Sequence, residues 1–154
     1  MKIFPSGLDG PDEDDYPEPD DGALNGNETV LLVEDESLLR YLIATTLQRF
    51  GYRVLDAADG EEAIQIASTH SAPIHLVISD IVMPRMNGIE LVLALRRWFP
   101  GTGVLFMSGF SEGTHVAMAA ELTGSHFIAK PFTMRALIVA TRSALEWRPH
   151  QRAG

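Results

Sequence analysis

A chain of 154 residues is long enough for one domain with a single hydrophobic core. It is 45% apolar, has no cysteine, and has no apolar run near the ~18 residues of a membrane span. That composition excludes a membrane helix, a disulfide framework and a thiolate metal site, and makes a cytoplasmic protein the default expectation.

The net charge of −9 is unevenly spread. Residues 1–28 hold nine acids against one base, Lys2, for a net −8; residues 29–154 hold twelve acids against eleven bases, for −1. A near-neutral body without a Lys/Arg cluster argues against a nucleic-acid surface. Residues 1–28 are rich in Asp, Pro and Gly with few large apolar side chains, and read as a disordered acidic tail that cannot offset its ordering entropy. The opening Met1-Lys2-Ile3-Phe4-Pro5 runs into acids rather than an apolar stretch and does not read as a signal peptide. A self-standing protein is expected on that ground.

From residue 29 the pattern changes to a folded domain, expected over 29–148, with 149–154 as a short C-terminal tail. Val30-Leu31-Leu32-Val33 reads as a strand that ends in Glu34-Asp35. Leu38, Leu39, Leu42, Ile43, Leu47 and Phe50 then recur at helical spacing, with Gly51 as the stop. Tyr52–Leu55 is a second strand, and Gly60 leads into a second helix that ends near His70 to Pro73. The run Leu76–Ser79 is a third strand, followed by Asp80 and a Pro/Gly loop through Gly88. A third helix carries Ile89, Leu91, Val92, Leu95 and Trp98. Val104–Met107 is strand four, ending at Ser108-Gly109, and a fourth helix poorer in apolar residues is expected from Ser111 to Leu122. His126–Ala129 is strand five, ending at Lys130-Pro131; the last helix runs from Thr133 to about Trp147.

Five strands alternating with five helices predict an α/β fold, a doubly wound five-stranded parallel sheet in the order 2-1-3-4-5. That order makes strands one and three neighbours, so Glu34-Asp35 and Asp80 converge at the carboxyl edge of the sheet. Taken alone, Glu34-Asp35 reads equally as a cap on the first helix. Clustered carboxylates persist mainly when a cation compensates them, and an all-oxygen set suits Mg²⁺. Asp35 and Asp80 are the expected direct ligands, with Glu34 acting through water and the backbone carbonyl of Val82 as a further ligand. Lys130 at the fifth strand end supplies a point cation, and Ser108 at the fourth a hydroxyl donor. The set reads as a phosphoryl-transfer site with its nucleophile built in, Asp80 attacking phosphorus.

Val33-Glu34-Asp35-Glu36, the stretch Asp80 to Gly88, Met107-Ser108-Gly109 and Lys130-Pro131-Phe132 together resemble the motifs of receiver domains of bacterial two-component response regulators, over about Thr29 to Trp147. The resemblance implies Mg²⁺-dependent phosphorylation of Asp80 by a histidine kinase or a histidine phosphotransfer protein. It further implies a switch in which Ser108 moves towards the phosphoryl group and Phe127 turns inward, reshaping the face made by helix four, strand five and helix five. The Lys130-Pro131 bond is expected to be cis. Gly109, Phe110 and Pro131 flank the site, and Phe110 with Val82 is expected to hinder in-line water and slow loss of phosphate. Glu34 stands where an Asp is commoner, and Gly109-Phe110 resembles receivers of hybrid kinases and stand-alone receivers.

Only seven residues follow Trp147, so the expected output is a partner protein, a phosphorelay step or a homodimer through the last helix–strand–helix face. The protein is then a phosphoacceptor switch, catalysing only its own phosphorylation and dephosphorylation. The alternative is a phosphorylation-independent interaction module. A haloacid-dehalogenase-type phosphatase would need an acid at Val82, and a flavodoxin-like carrier would not place Glu34-Asp35 beside a phosphate. Arg96-Arg97 reads as a solvated helix face. The five histidines lack ligand spacing and read as surface or strand-edge residues.

Overall fold

The computed structural model describes residues 22–109 and 112–147. Most of the acidic tail, Phe110, Ser111 and the residues after 147 lie outside that range. The elements follow in the expected alternation: β1 Thr29–Val33, α1 Ser37–Arg49, β2 Arg53–Ala57, α2 Gly60–Thr69, β3 Leu76–Asp80, α3 Gly88–Leu95, β4 Gly103–Ser108, α4 Gly113–Thr123, β5 His126–Ala129 and α5 Met134–Glu146. All strand pairs are parallel and the sheet order is β2-β1-β3-β4-β5, as the β/α alternation required.

The sheet is covered on both faces, which is why β1 and β3 are buried throughout and carry the continuous apolar runs Val30–Val33 and Leu76–Ile78 rather than an alternation. Val30 and Leu32 of β1, Leu76 and Ile78 of β3 and Leu105 and Met107 of β4 pack against Ile43, Leu47 and Phe50 of α1 and against Leu137 and Ile138 of α5. The intervening residues Leu31, Val33 and Val77 face the other way, onto α2 and α3. Phe106 and Val104 complete that second face against Ile89, Val92 and Ala119 of α3 and α4. The edge strands β2 and β5 are only partly covered.

Helix ends obey local chemistry. The side chains of Asp59, Asn87 and Thr133 accept from Glu62, Glu90 and Ala136 backbone N–H groups and so open α2, α3 and α5. Gly51 follows α1 at φ +96°, and a Cβ there would lie 2.3 Å from Gly26 O. Among the described residues, no helix is long and apolar enough to cross a membrane.

Three expectations need correction. The acidic tail does not extend as free chain to residue 28. Leu24 packs against the α1/α5 core, Gly26 N–H donates to Phe50 O at 2.9 Å, and Glu28 pairs with Arg142 at 2.6 Å. Helix α3 ends at Leu95, so Trp98 falls in the following turn, half exposed. Finally, Arg96 is not a solvated residue. Its guanidinium is partly buried and donates to Thr123 O at 2.7 Å and Thr102 O at 3.4 Å, tying α3 to the end of α4.

Candidate functional site

The parallel register brings the sequence-predicted residues to one edge. Val33 stands opposite Ser79, so Glu34 leaves β1 beside Asp80, the last residue of β3. Asp80 stands opposite Met107, and Ser108 opposite Ala129, which brings Ser108 beside Asp80 and Lys130 beside Ser108. The Lys130 N–H donates to Ser108 O at 2.8 Å and anchors the end of β5 there. Glu34, Asp80 and Ser108 are buried; Asp35 is exposed.

Carboxylate oxygens of Glu34, Asp35 and Asp80 lie within 4.8 Å of one another. Lys130 Nζ donates to Asp80 Oδ1 at 2.6 Å and to Glu34 Oε2 at 2.9 Å. Glu34 Oε1 accepts the Glu36 N–H at 3.0 Å. Glu34 therefore does not cap α1 from the cap position; α1 opens at Glu36 without a side-chain cap. Burial pushes the Asp80 carboxyl up to about 7, with the hydrogen bond to Glu34 adding to the rise and Lys130 opposing it. Burial would also raise Glu34, but its hydrogen bonds with Asp80, Lys130 and the Glu36 N–H outweigh it and hold the group below the ordinary range. Lys130 loses some hydration to burial, yet its two carboxylate partners raise it above its ordinary value.

The loop after Asp80 is held by its own backbone. Ser79 Oγ donates to Asp80 O at 2.8 Å, and Gly88 N–H donates to Ile81 O at 2.7 Å. Arg85 sits at φ +70° and pairs with Asp59 at 3.2 Å. Val82 is 46% exposed beside the carboxylates' edge. The Ser108 hydroxyl makes no hydrogen bond among the described residues. Phe127 is half buried, its ring 6.0 Å from that of Phe106 at 33°. The Lys130-Pro131 bond is cis, as expected. Phe110 lies outside the described residues.

Three residues near the site had no role assigned from sequence. Arg40 Nη1 donates to Glu34 O at 2.7 Å while its Nε lies 3.4 Å from Asp56, fixing the end of β1 from α1. Glu112 Oε2 accepts the Gly109 N–H at 2.8 Å, an acid three residues on that closes the loop after β4. Gly88 meets Asp80 so closely that a Cβ would lie 2.3 Å from Asp80 O and 2.7 Å from the Phe106 ring. The Glu112 contact is local, three residues along the chain, whereas Arg40 with Asp56 and Gly88 with Phe106 meet only through the fold.

The all-oxygen donor set, with a carboxylate trio partly compensated by one lysine, fits a hard divalent cation. Among the described residues, the edge as a whole offers carboxylates, an ammonium and an unengaged hydroxyl.

Comparison with known proteins places these features in context. The family model for the response regulator receiver domain matches residues 30–142. Sensor kinase CckA of Brucella abortus is 37% identical over 123 residues, covering 80% of this chain and 13% of the kinase. The transcriptional regulatory protein PdtaR of Mycobacterium tuberculosis is 34% identical over 119 residues, 75% of this chain and 56% of that protein. The chain thus spans less than two thirds of the length of either relative. Among solved structures, the receiver domain of the hybrid histidine kinase CckA is 34% identical with a TM-score of 0.64, covering 77% of this chain and 99% of that one. Chemotaxis protein CheY4 of Vibrio cholerae is 30% identical with a TM-score of 0.69, covering 78% and 100%.

Proposed function

The chain belongs to the response regulator receiver family, and on that premise we propose that it is a phosphorylation-controlled switch whose phosphoacceptor is Asp80. The donor is the phosphohistidine of a histidine kinase or of a histidine phosphotransfer protein. A P–O bond to the Asp80 carboxylate forms as the P–N bond to the donor imidazole breaks. The observation that carries this reading is the pairing of Lys130 Nζ with Asp80 Oδ1 at 2.6 Å inside the trio of acids.

Each residue has a definite part. Asp80, at a strand end and reached from the open edge, is the nucleophile. Lys130 offsets charge on the transferring oxygens, and the unengaged Ser108 hydroxyl donates to one of them in the product. Asp35 and Asp80 would hold Mg²⁺ directly with the Val82 carbonyl. Glu34 would act through water, in keeping with the Glu36 N–H and Lys130 already occupying its two oxygens. When bound, Mg²⁺ supplies positive charge that neutralises the carboxylates and the incoming phosphoryl oxygens. Gly109 and Pro131 adjoin Ser108 and Lys130 in the chain and would set access to the site; Phe110, expected to share that part, lies outside the described residues.

The downstream reader is a protein, or a second copy of this chain, docking on α4–β5–α5. Met118, Leu122 and Val139 of α4 and α5 are exposed, and Phe127 of β5 packs its ring 6.0 Å from that of Phe106. Ser108 and Phe127 are the switch residues that link this face to Asp80.

The test is intact mass after incubation with acetyl phosphate and Mg²⁺, for the wild type and Asp80→Asn. One phosphoryl adduct that requires Mg²⁺ and is lost in the variant is the expected result. No adduct on folded wild-type protein would move the assignment to a phosphorylation-independent interaction module.

A further inference from the structure

At the sheet edge opposite Asp80, the amino ends of β1, β3, β4 and β5 surround a cavity of about 180 Å³. Its charged and titratable lining is Glu28, His75, Arg96 and His126, with Trp147 on its rim. The only acid in that set is already matched: Glu28 Oε2 and Oε1 accept from Arg142 Nη2 and Nη1 at 2.6 and 3.2 Å.

Arg96 is not matched. Among the described residues it has no carboxylate within ion-pair distance, and its bonds run to two neutral carbonyls, Thr123 O and Thr102 O. Its Nε is buried and has no acceptor there. A guanidinium carries five N–H donors, so two carbonyl bonds leave a donor set and a full charge without an anion, in a setting where burial makes both costly. Two imidazoles line the same cavity. His75 Nδ1 accepts the Thr29 N–H at 3.0 Å, which leaves Nε2 as its N–H donor. His126 stacks edge-on to Trp147, ring centroids 5.5 Å apart. Among the described residues, what Arg96 lacks is an acceptor with negative charge, the Glu28 carboxylate being taken by Arg142.

We propose that the cavity is a binding site for a small oxyanion, a carboxylate or phosphate group held by the Arg96 Nη N–H donors that Thr123 O and Thr102 O leave over, with the imidazoles of His75 and His126. Guanidinium matches the two oxygens of such a group in a way that ammonium does not. The site is separate from the phosphoacceptor edge, and its occupancy does not depend on phosphorylation of Asp80.

The experiment uses the full chain labelled with nitrogen-15, without Mg²⁺. Inorganic phosphate, acetate and, as an ionic-strength control, chloride are titrated in turn. The Arg96 Nε–H resonance and the ring resonances of His75 and His126 are followed. Saturable shifts at these groups with phosphate or acetate, but not chloride, are expected. Saturation by one of the two identifies the headgroup. In R96Q the affinity falls by at least about tenfold, as expected for loss of a charge-assisted pair. Because R96Q also unties α3 from α4, R96K is the second variant. It keeps the charge, loses the fork, and binds more weakly than the wild type. Shifts that are linear, equal with chloride, or saturable only around Lys130 overturn the proposal, as does unchanged affinity in folded R96Q.

Discussion

Lys130 Nζ bridges the buried carboxylates of Glu34 and Asp80, 2.9 Å from one and 2.6 Å from the other. It is one of only two lysines in the chain, and it sits between Glu34 and Asp80, the buried acids among the described residues. Replacing it with Ala should slow phosphorylation by acetyl phosphate by about two orders of magnitude, the usual effect of losing one preorganised charge-stabilising group. The rate is read by intact mass over time. A rate within a factor of two of the wild type would remove Lys130 from the transfer chemistry.

Gly88 should tolerate no side chain. An added Cβ would lie 2.3 Å from Asp80 O and 2.7 Å from Phe106, and the first of these atoms is backbone that cannot swing away. Gly88→Ala should cost about 1–3 kcal/mol, the range for overpacking a filled site. Urea unfolding measures it, and the midpoint should fall with an unchanged slope. A variant as stable as the wild type would show that the loop after Asp80 relaxes freely.

The pairing of Glu28 with Arg142 makes part of the stability dependent on pH. Burial would raise the Glu28 carboxyl, but the hydrogen bonds from Arg142 and from backbone N–H groups outweigh it and hold the group below its ordinary 4.5. A group depressed in the folded state contributes above its unfolded value and loses that contribution as pH falls through the folded one. The wild type should therefore lose stability relative to Glu28→Gln as the pH drops below about 4.5, the two converging in acid. Urea unfolding of both proteins across that window checks it; parallel curves would show that the pair contributes nothing.

Phe110 should govern how long the phosphoryl group survives. It lies two residues after Ser108 in the sequence, and Ser in its place, small and polar, would hinder in-line water less. The half-life of the adduct should shorten severalfold with the rate of its formation little changed. Chasing the adduct by mass after removal of acetyl phosphate separates the two, and an equal half-life would exclude Phe110 as a shield.

The elements were legible because local signals mark them. Fully apolar runs such as Leu76–Ile78 mark strands covered on both faces, and Asp59, Asn87 and Thr133 sit where helices begin. Boundaries were less legible where tertiary contacts decide them. Trp98 continues the apolar spacing of α3, yet the helix ends at Leu95, and Arg96 turns inward to reach two carbonyls from later in the chain. Leu24 and Glu28 look like tail because their partners, Tyr52 and Arg142, are remote in sequence.

The sequence by itself determined the alternation of strands and helices, and through it the sheet order and the edge at which Glu34, Asp35, Asp80, Ser108 and Lys130 must collect. Periodicity and breaker residues act over a few positions, and β/α alternation leaves few topologies. Only the tertiary structure decided the opposed shifts of Glu34 and Asp80, the ban on a side chain at Gly88, and the want of an ion-pair partner for Arg96 among the described residues. Each of these depends on distance, burial and the presence or absence of a partner from another element. Such quantities exist only once the sheet has closed its register.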